Sequence, residues 1–289
     1  DFINNTALGE VEIGSIGFGG DGGAVIWTGS EGTIEFCTFN DNDAVHRGGA
    51  IYLQKLSDES ACENTSVINS SFIFNTAGTN GGAIDWYEGA HNGLVANSTF
   101  TDNIAKNGNG GAIYWNGLNG TIEGSTFINN SALCLEEGGG SQARGGAAFV
   151  EGSYTTVKDS SFDSNYAGNN ASAICFEGSY YGKVLSSNFT NNTAAELGGA
   201  LYWNASVGEL NNSRFDYNHA KSGGAIYVGE RADNAIINGI VFDHNSASEN
   251  GGALFAEGID DVELLNSNFT YNSADHGGAV YVHDGEDFI

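Results

Sequence analysis

The sequence predicts an all-β protein, a single-stranded parallel β-helix (solenoid) of about ten coils that fills residues 1–289 as one domain. The first observation behind this prediction is that two short motifs alternate along the whole chain. The second is a composition with 44 glycines and no proline. Because proline cannot donate a backbone hydrogen bond, its absence suits continuous β ladders. The third is the character of the segments between motifs, which are short, β-branched and punctuated by glycine.

The first motif is Gly-Gly-Ala followed by an aliphatic residue. Its alanines are Ala24, Ala50, Ala83, Ala112, Ala147, Ala200, Ala225, Ala253 and Ala279, with a degenerate copy at Ala171-Ser172-Ala173. Successive copies are 25 to 35 residues apart, which fits one coil of a β-solenoid better than a leucine-rich or helical repeat. The aliphatic residues are Val25, Ile51, Ile84, Ile113, Ala148, Ile174, Leu201, Ile226, Leu254 and Val280. We expect them to stack as one core column, one strand spacing apart.

The second motif is F-x-x-N-x-A. Its phenylalanines are Phe2, Phe39, Phe72, Phe100, Phe127, Phe162, Phe189, Phe215, Phe242 and Phe269. Its asparagines are Asn5, Asn42, Asn75, Asn103, Asn130, Asn165, Asn192, Asn218, Asn245 and Asn272. An amide both donates and accepts, so we expect these asparagines to form a ladder that holds a turn in register. An aliphatic residue stands five positions before each phenylalanine from Phe39 onward, which predicts a second core-facing sheet.

An aromatic column follows the Gly-Gly-Ala alanines by two positions. Its members are Tyr52, Tyr114, Phe149, Tyr202, Tyr227, Phe255 and Tyr281, with Ile26, Asp85 and Cys175 at the remaining copies. Side chains alternate along a strand, so this column should point away from the core and form an exposed aromatic stripe. Two roles remain open for the stripe. It stacks to steady the sheet, or it contacts glycans or a neighbouring filament.

Together the G-G-A-[I/L/V] and F-x-x-N motifs resemble the repeats of the chlamydial polymorphic outer-membrane proteins. The resemblance extends over nearly the whole chain. It implies passenger domains that are right-handed parallel β-helices and take part in adhesion. Because one fold serves many activities, the motifs indicate the fold more firmly than the function.

Twelve N-x-[S/T] sequons indicate a secreted glycoprotein. Their asparagines are Asn4, Asn64, Asn69, Asn97, Asn119, Asn129, Asn170, Asn188, Asn191, Asn204, Asn211 and Asn268. The alternative is that a repeat rich in Asn and Ser generates sequons without any glycosylation. None of the ladder asparagines is itself a sequon, which favours real acceptors.

Four cysteines are too few to form the framework of the fold, and they make no C-x-x-C pair. Residues of a solenoid contact mainly their own and neighbouring coils. We therefore expect disulfides between Cys37 and Cys62 and between Cys134 and Cys175. Cys37 alternatively holds a buried thiol, because other repeats have a small residue, mostly serine, at its position.

Charge and residue placement favour an extracellular structural or adhesive role. The net charge is −27, which repels nucleic acid and anionic lipid. A polysaccharide lyase or hydrolase on a β-helix scaffold is the alternative, but it needs carboxylates that converge in one cleft. The acids are scattered over loops, and the four arginines Arg47, Arg144, Arg214 and Arg231 occupy unrelated repeat positions. We predict no enzyme and no cofactor, and leave weak Ca²⁺ binding by acidic loops open.

The two ends of the sequence predict an assembly. The chain opens at Asp1-Phe2, inside an F-x-x-N segment, and closes at Phe288-Ile289, close to the phase at which another copy would begin. An uncapped solenoid exposes unpaired backbone groups. We therefore expect the chain to continue into a longer solenoid or to stack head to tail with copies of itself as a cell-surface fibre. The further partners expected are covalent N-glycans and cell-surface glycans or proteins.

Overall fold

The computed structural model is a parallel β-solenoid of about nine turns. It describes residues 1–9, 19–55, 62–135 and 143–286. Within these ranges the regular structure consists of short strands without any helix, and every strand pair between coils is parallel. Each complete coil adds one strand to each of four sheets, so the predicted all-β parallel fold is confirmed.

Sheet 1 contains the phenylalanine motif. Its strands are β1 Phe2–Ile3, β5 Thr38–Asn40, β9 Ser71–Ile73, β13 Thr99–Thr101, β17 Thr126–Ile128, β21 Ser161–Asp163, β25 Asn188–Thr190, β29 Arg214–Asp216, β33 Val241–Asp243 and β37 Asn268–Thr270. The ten phenylalanine rings point inward and stack on one another with centroids 4.5 to 5.5 Å apart. This stack forms one continuous wall of the core.

Sheet 2 follows the asparagine turn. Its strands are β2 Thr6–Ala7, β6 Asp43–Ala44, β10 Thr76–Ala77, β14 Ile104–Ala105, β18 Ser131–Ala132, β22 Tyr166–Ala167, β26 Thr193–Ala194, β30 His219–Ser222 and β34 Ser246–Asn250. The repeated alanine occupies the second place of each strand and, from Ala44 to Ala247, is buried. Its small side chain lets the chain turn back across the core.

Sheet 3 begins after the glycine pair. Its strands are β3 Val25–Trp27, β7 Ile51–Leu53, β11 Ile84–Trp86, β15 Ile113–Trp115, β19 Ala148–Val150, β23 Ile174–Tyr180, β27 Leu201–Ser206, β31 Ile226–Val228, β35 Leu254–Glu257 and β38 Val280–His283. The predicted aliphatic column is fully buried from Ile51 to Leu254. Three residues of each strand thus present an inner, an outer and an inner side chain.

Sheet 4 closes each coil. Its strands are β4 Thr33–Glu35, β8 Ser66–Ile68, β12 Leu94–Ala96, β16 Thr121–Glu123, β20 Thr156–Lys158, β24 Lys183–Leu185, β28 Glu209–Asn211, β32 Ile236–Asn238 and β36 Glu263–Leu265. Its central residues pair in one register, as Val95 does with Val67 and Ile122. These residues join the same core, as the second aliphatic column predicted.

The chain turns at the four corners of a coil through residues with a left-handed backbone conformation. In one coil they are Asn97, Asp102, Gly110 and Asn119, with φ of 49°, 55°, 69° and 57°. Glycine, asparagine and aspartate adopt this conformation at the lowest cost. Gly110 has no alternative, because a Cβ there would lie 2.2 Å from the carbonyl oxygen of Ile113. The first glycine of the Gly-Gly-Ala motif is therefore a corner residue.

Continuation of the ladders into another coil remains a prediction. Phe288 and Ile289, on which the expected phase depends, lie outside the described residues.

Candidate binding surface

The repeated asparagines from Asn42 to Asn245 are buried inside the solenoid, while Asn5 and Asn272 at its two ends are exposed and half-buried. Each Nδ2 donates to the Oδ1 of the asparagine in the next coil at 2.8 to 3.0 Å, from Asn5 to Asn272. In the middle of the ladder, Asn103 also donates from Nδ2 to the carbonyl oxygen of Phe72 at 3.0 Å. Its backbone N–H donates to Asn130 Oδ1 at 3.1 Å. These amides are fully used by the fold and offer nothing to a ligand.

A second ladder of hydroxyl groups runs between sheets 4 and 1. The Ser98 hydroxyl donates to the carbonyl oxygen of Ala96 at 2.9 Å, and the Ser98 N–H donates to Ser125 Oγ at 3.2 Å. The same N–H to Oγ contact recurs along the column. Sequence reasoning noted the small residues here but missed their hydrogen bonds.

Cys37 and Cys62 do not form the predicted disulfide. Cys37 occupies a place in the serine ladder, where its N–H donates to Ser70 Oγ at 3.1 Å. Cys62 lies at a different corner, with its sulfur 3.2 Å from the carbonyl oxygen of Gly29. The two cysteines are in neighbouring coils but in different columns, and only residues of one column are a strand spacing apart. Burial raises the pKa of the Cys62 thiol.

Cys134 and Cys175 do not form a disulfide either, so this prediction is also corrected. Cys134 follows sheet 2 and is exposed, while Cys175 is fully buried on the outer side of sheet 3. Burial raises the pKa of the Cys175 thiol well above its usual value. A buried neutral thiol of this kind is chemically inert.

The aromatic stripe lies on the outer face of sheet 3, but it is not the exposed surface that the sequence predicts. Tyr52, Tyr114, Phe149, Tyr227 and Phe255 are at most 7% exposed. The stripe residues Tyr202 and Tyr281 are half-buried. Side chains from the preceding corner and from the next coil cover the column, which strand alternation alone cannot reveal.

Two arginines provide part of this cover. Arg47 and Arg144 each stand directly before a Gly-Gly pair, so they share one repeat position, contrary to the sequence-based expectation. The Arg47 guanidinium lies 4.4 Å from the ring centroid of Tyr87. The Arg144 guanidinium lies 5.2 Å from the ring centroid of Phe149 and donates to Glu177 Oε2 at 2.9 Å.

Three carboxylates, Glu151, Glu177 and Glu257, lie in the column two residues after the stripe. The Tyr114 hydroxyl donates to Glu151 Oε2 at 2.5 Å, and the Tyr227 hydroxyl donates to Glu257 Oε2 at 2.9 Å. Burial, and then the bond to the glutamate, raises the pKa of both tyrosines. Each contact links one coil to the next on the outside of the solenoid.

Asp85 is the one carboxylate of the described stripe positions, and it is fully buried. Its strand neighbours are Tyr52 and Tyr114. Neither carboxylate oxygen has a hydrogen-bond partner. Burial raises the pKa of Asp85 well above its usual value, although the positive charge of Arg47 opposes the shift. The carboxyl group is therefore held in a site that favours its neutral form.

An acidic groove lies farther along the outer face of sheet 3. It consists of two adjoining cavities of 420 and 340 Å³ that share Asn204 and Glu230. The larger cavity is lined by Tyr202, Tyr227, Glu230, Glu257, His283 and Asp284 among others. Arg231 and Asp233 line the smaller one. Here polar groups converge on a concave surface of the kind that binds ligands.

Nine of the twelve sequon asparagines are exposed. They are Asn4, Asn64, Asn69, Asn97, Asn119, Asn129, Asn188, Asn191 and Asn268. Asn170 and Asn211 are half-buried, and Asn204 is 8% exposed with its amide bonded to Glu177. Seven have positive φ, namely Asn4, Asn64, Asn69, Asn97, Asn119, Asn129 and Asn191. Corner geometry alone therefore gives a reason for asparagine at these seven positions.

Exposed aromatic stacks occur at two corners instead of on the stripe. Tyr217, His244 and Tyr271 stack with centroids 4.7 and 4.8 Å apart, and the outermost ring, Tyr271, is 80% exposed. Tyr154 and Tyr181 stack 5.0 Å apart at another corner. The signal for the first stack was present in the sequence, because each member follows a motif phenylalanine by two residues.

Neither a metal centre nor a membrane helix is found in the described parts of the chain. No group of three or more His, Cys, Asp or Glu side chains there could hold a metal ion. No helix there is long and apolar enough to cross a membrane. Weak Ca²⁺ binding by acidic loops stays a prediction.

Comparison with known proteins identifies the repeats. The family model for the Chlamydia polymorphic membrane protein repeat matches residues 97–114, 186–202, 212–229 and 239–257, which run from sheet 1 into sheet 3 in four coils. The probable autotransporter YfaL of Escherichia coli strain K12 is 28% identical over 225 residues, covering 69% of this chain. The chain spans only 17% of the length of that relative. This protein is thus a parallel β-solenoid whose repeats match the chlamydial polymorphic membrane protein repeat and are similar to part of an autotransporter.

Proposed function

We propose that the chain works outside the cell, at the cell surface, as a passenger-like β-solenoid with a structural or adhesive role and no enzymatic one. The observation that supports this most is the repeat itself, which matches a family described as membrane proteins and aligns with a protein described as an autotransporter. The repeat builds a rod and leaves the outer faces of its sheets free to vary. A rod with variable outer faces suits display better than it suits a single enclosed reaction site.

Stiffness and charge support the same role. The phenylalanine stack and the asparagine ladder both run from the first described coil to the last, so bending the rod would break contacts in every coil. The net charge of −27 keeps neighbouring rods apart and the surface solvated. N-glycans are part of the proposal, since nine sequon side chains are exposed.

Surface display is tested on intact cells that make the natural full-length protein. An antibody against this chain should label intact cells, and external protease should remove the label while a cytoplasmic marker survives. A label that appears only after the cells are broken would contradict surface display.

Adhesion and catalysis are tested with the purified chain. Beads coated with the chain should attach to a target surface more than beads coated with an unrelated protein of similar negative charge. A polysaccharide-active enzyme is the competing hypothesis, and its carboxylates would have to come from the acidic groove. Release of sugar fragments by the chain, abolished by Glu230→Gln or Glu257→Gln, would favour the enzyme over the adhesin.

A further inference from the structure

The outer face of sheet 3 already binds guanidinium groups that belong to the chain itself. Arg144 reaches from its corner across Phe149 to the carboxylate of Glu177 in the next coil, at 2.9 Å. Arg47 also lies on this face, where it hydrogen bonds to Tyr52 of its own coil and lies over the ring of Tyr87 in the next coil, to which it also hydrogen bonds. In both cases an arginine before Gly-Gly occupies a site made by the stripe and by the column two residues after it.

One later repeat keeps both receiving groups but lacks the arginine. The position before Gly-Gly holds Leu197, Ser222, Asn250 and His276 in the last four repeats. In the repeat of Ser222, Tyr227 takes the place of Phe149, and Glu257 takes the place of Glu177. Tyr227 and Glu257 both line the cavity of 420 Å³. This cavity therefore lies where an internal guanidinium would otherwise be.

No arginine or lysine is among the described residues that line this cavity, although Arg231 lines the adjoining one. Glu230, Glu257 and Asp284 line it, and the possible cation among the described lining residues is His283, whose Nδ1 lies 3.8 Å from Glu257 Oε1 and 3.7 Å from Asp284 Oδ2. The Glu257 side chain is 45% exposed, so a ligand from solution can reach it. A ligand that carries positive charge would complement these carboxylates.

We propose that this cavity binds an arginine side chain of a basic partner polypeptide. The guanidinium donates to the carboxylates of Glu257 and Glu230, and the tyrosine hydroxyl oxygens accept from it as they do from Arg47. Arginine suits the site better than lysine because its planar fork donates to two acceptors at once. A neutral sugar suits it less, because Tyr202 and Tyr227 stack on each other 4.8 Å apart and Tyr227 is only 7% exposed, which leaves little of the Tyr227 ring for a sugar to pack against.

This inference rests on the proposed surface role, in which the outer face meets a partner, but it is tested separately. The probe is a short glycine-serine peptide with blocked ends and one central arginine, titrated into the purified chain at low ionic strength and followed by NMR. Matched peptides carry lysine or the neutral isostere citrulline. We expect the arginine peptide to bind, and citrulline to weaken binding by about tenfold or more. Equal binding of the arginine and citrulline peptides would overturn the proposal.

Two variants test the position of the site. Ser222→Arg should place an internal guanidinium in the cavity, as Arg144 does in its own coil, and weaken peptide binding by about tenfold. Ser222→Gln has a similar bulk without the charge and should change binding less than about twofold. A folded Ser222→Arg protein that binds the peptide like the wild type would contradict the site.

A second pair of variants separates the site from the general negative charge. Glu257→Gln should weaken binding by about tenfold, whereas Glu263→Gln, an exposed glutamate of sheet 4, should change it less than about twofold. Equal losses would mean that the charge of the whole chain attracts the peptide and that no specific site exists. A failure here leaves surface display untouched, because labelling of intact cells does not depend on the groove.

Discussion

The inner face of sheet 3 has the same kind of residue in every coil, whereas its outer face does not, although the same strands form both. The inner face repeats one solution, with an aliphatic residue such as Ile113 in each coil, and is fully buried from Ile51 to Leu254. The outer face changes from coil to coil. Tyr114 bonds to a glutamate there, Asp85 has no hydrogen-bond partner, and Tyr202 and Tyr227 border an acidic groove.

The inner-face residues of sheet 3 stabilise the solenoid, whereas its outer-face residues differ from coil to coil and give each coil its own surface. An inner residue contacts the equivalent residues of the coils above and below. Its size and polarity must therefore match theirs, and the column stays uniform. An outer residue is covered by side chains from corners, which are free to differ. Changes on the inner face should therefore be costly in every coil, while changes on the outer face should have effects that depend on the coil.

The largest effect is expected for Ile113→Asp. The substitution buries an unpaired charge between Ile84 and Ala148 and should lower the free energy of unfolding by about 3 to 5 kcal/mol. Urea unfolding measures this. Ile128→Asp is the matched control, because Ile128 lies half-buried on the outer face of sheet 1, and it should cost only about 1 kcal/mol even with the like charge of Asp163 beside it. Similar losses for both would mean that the inner column is not the core.

Asn130→Ala should have an intermediate effect. It removes the acceptor of two buried donors, the N–H and the Nδ2 of Asn103, and leaves the carbonyl oxygen of Phe100 without its side-chain donor. We expect a loss of about 1 to 3 kcal/mol. Asn188→Ala removes an exposed amide in β25 and should change stability by less than about 0.5 kcal/mol. An unchanged midpoint for Asn130→Ala would show that the ladder does not stabilise the fold.

Asp85→Asn should stabilise the protein at neutral pH, whereas polar substitutions on the inner face should destabilise it. Burial raises the pKa of Asp85 above 3.8, so the folded state holds its proton more tightly than the unfolded chain. Stability from this group is then fully present below about pH 4 and is lost as the pH rises toward the folded pKa. The asparagine of the variant does not titrate, so the variant does not lose this stability as the pH rises.

Thermal melts of both proteins at several pH values test this sign. The advantage of Asp85→Asn should be about 1 to 3 kcal/mol near pH 7 and should vanish near pH 3. The charged neighbours Arg47, Asp21 and Glu151 are present in both proteins, so their own titration largely cancels in the difference. A difference that does not change with pH would mean that Asp85 is already charged and compensated.

The sequence predicted the inner face well because its signal is periodic. Every phenylalanine and ladder asparagine recurs once per coil, and a column of like residues has one arrangement that satisfies them all. The outer face could not be predicted in this way. The stripe is covered by Arg47 and Arg144, whose shared position before Gly-Gly is occupied by arginine in only two repeats.

The cysteine pairs failed for a related reason. Locality in sequence placed Cys37 and Cys62 in adjacent coils, but contact in a solenoid also requires the same column. Cys37 aligns with Ser70, whereas Cys62 aligns with Gly29 and Ala90. The acidic groove was missed because its members come from five coils and from loops that do not align as a motif. Tyr227 and Glu257 are recognised as neighbours only when the equivalent positions of adjacent coils are known.

The smallest effect concerns the sequons and separates a backbone role from a glycan role. Asn97 and Asn188 are both exposed sequon asparagines, but Asn97 is at a corner with φ of 49° and Asn188 is in strand β25. In a host that does not glycosylate, Asn97→Gln should cost about 1 kcal/mol, because a longer side chain at positive φ loses the preference that asparagine has there. Asn188→Gln should cost less than about 0.3 kcal/mol, since strands accept either residue. Urea midpoints of the two variants measure the difference. Equal costs would mean that corner geometry does not select asparagine, and the case for glycans at the corner sequons would then be stronger.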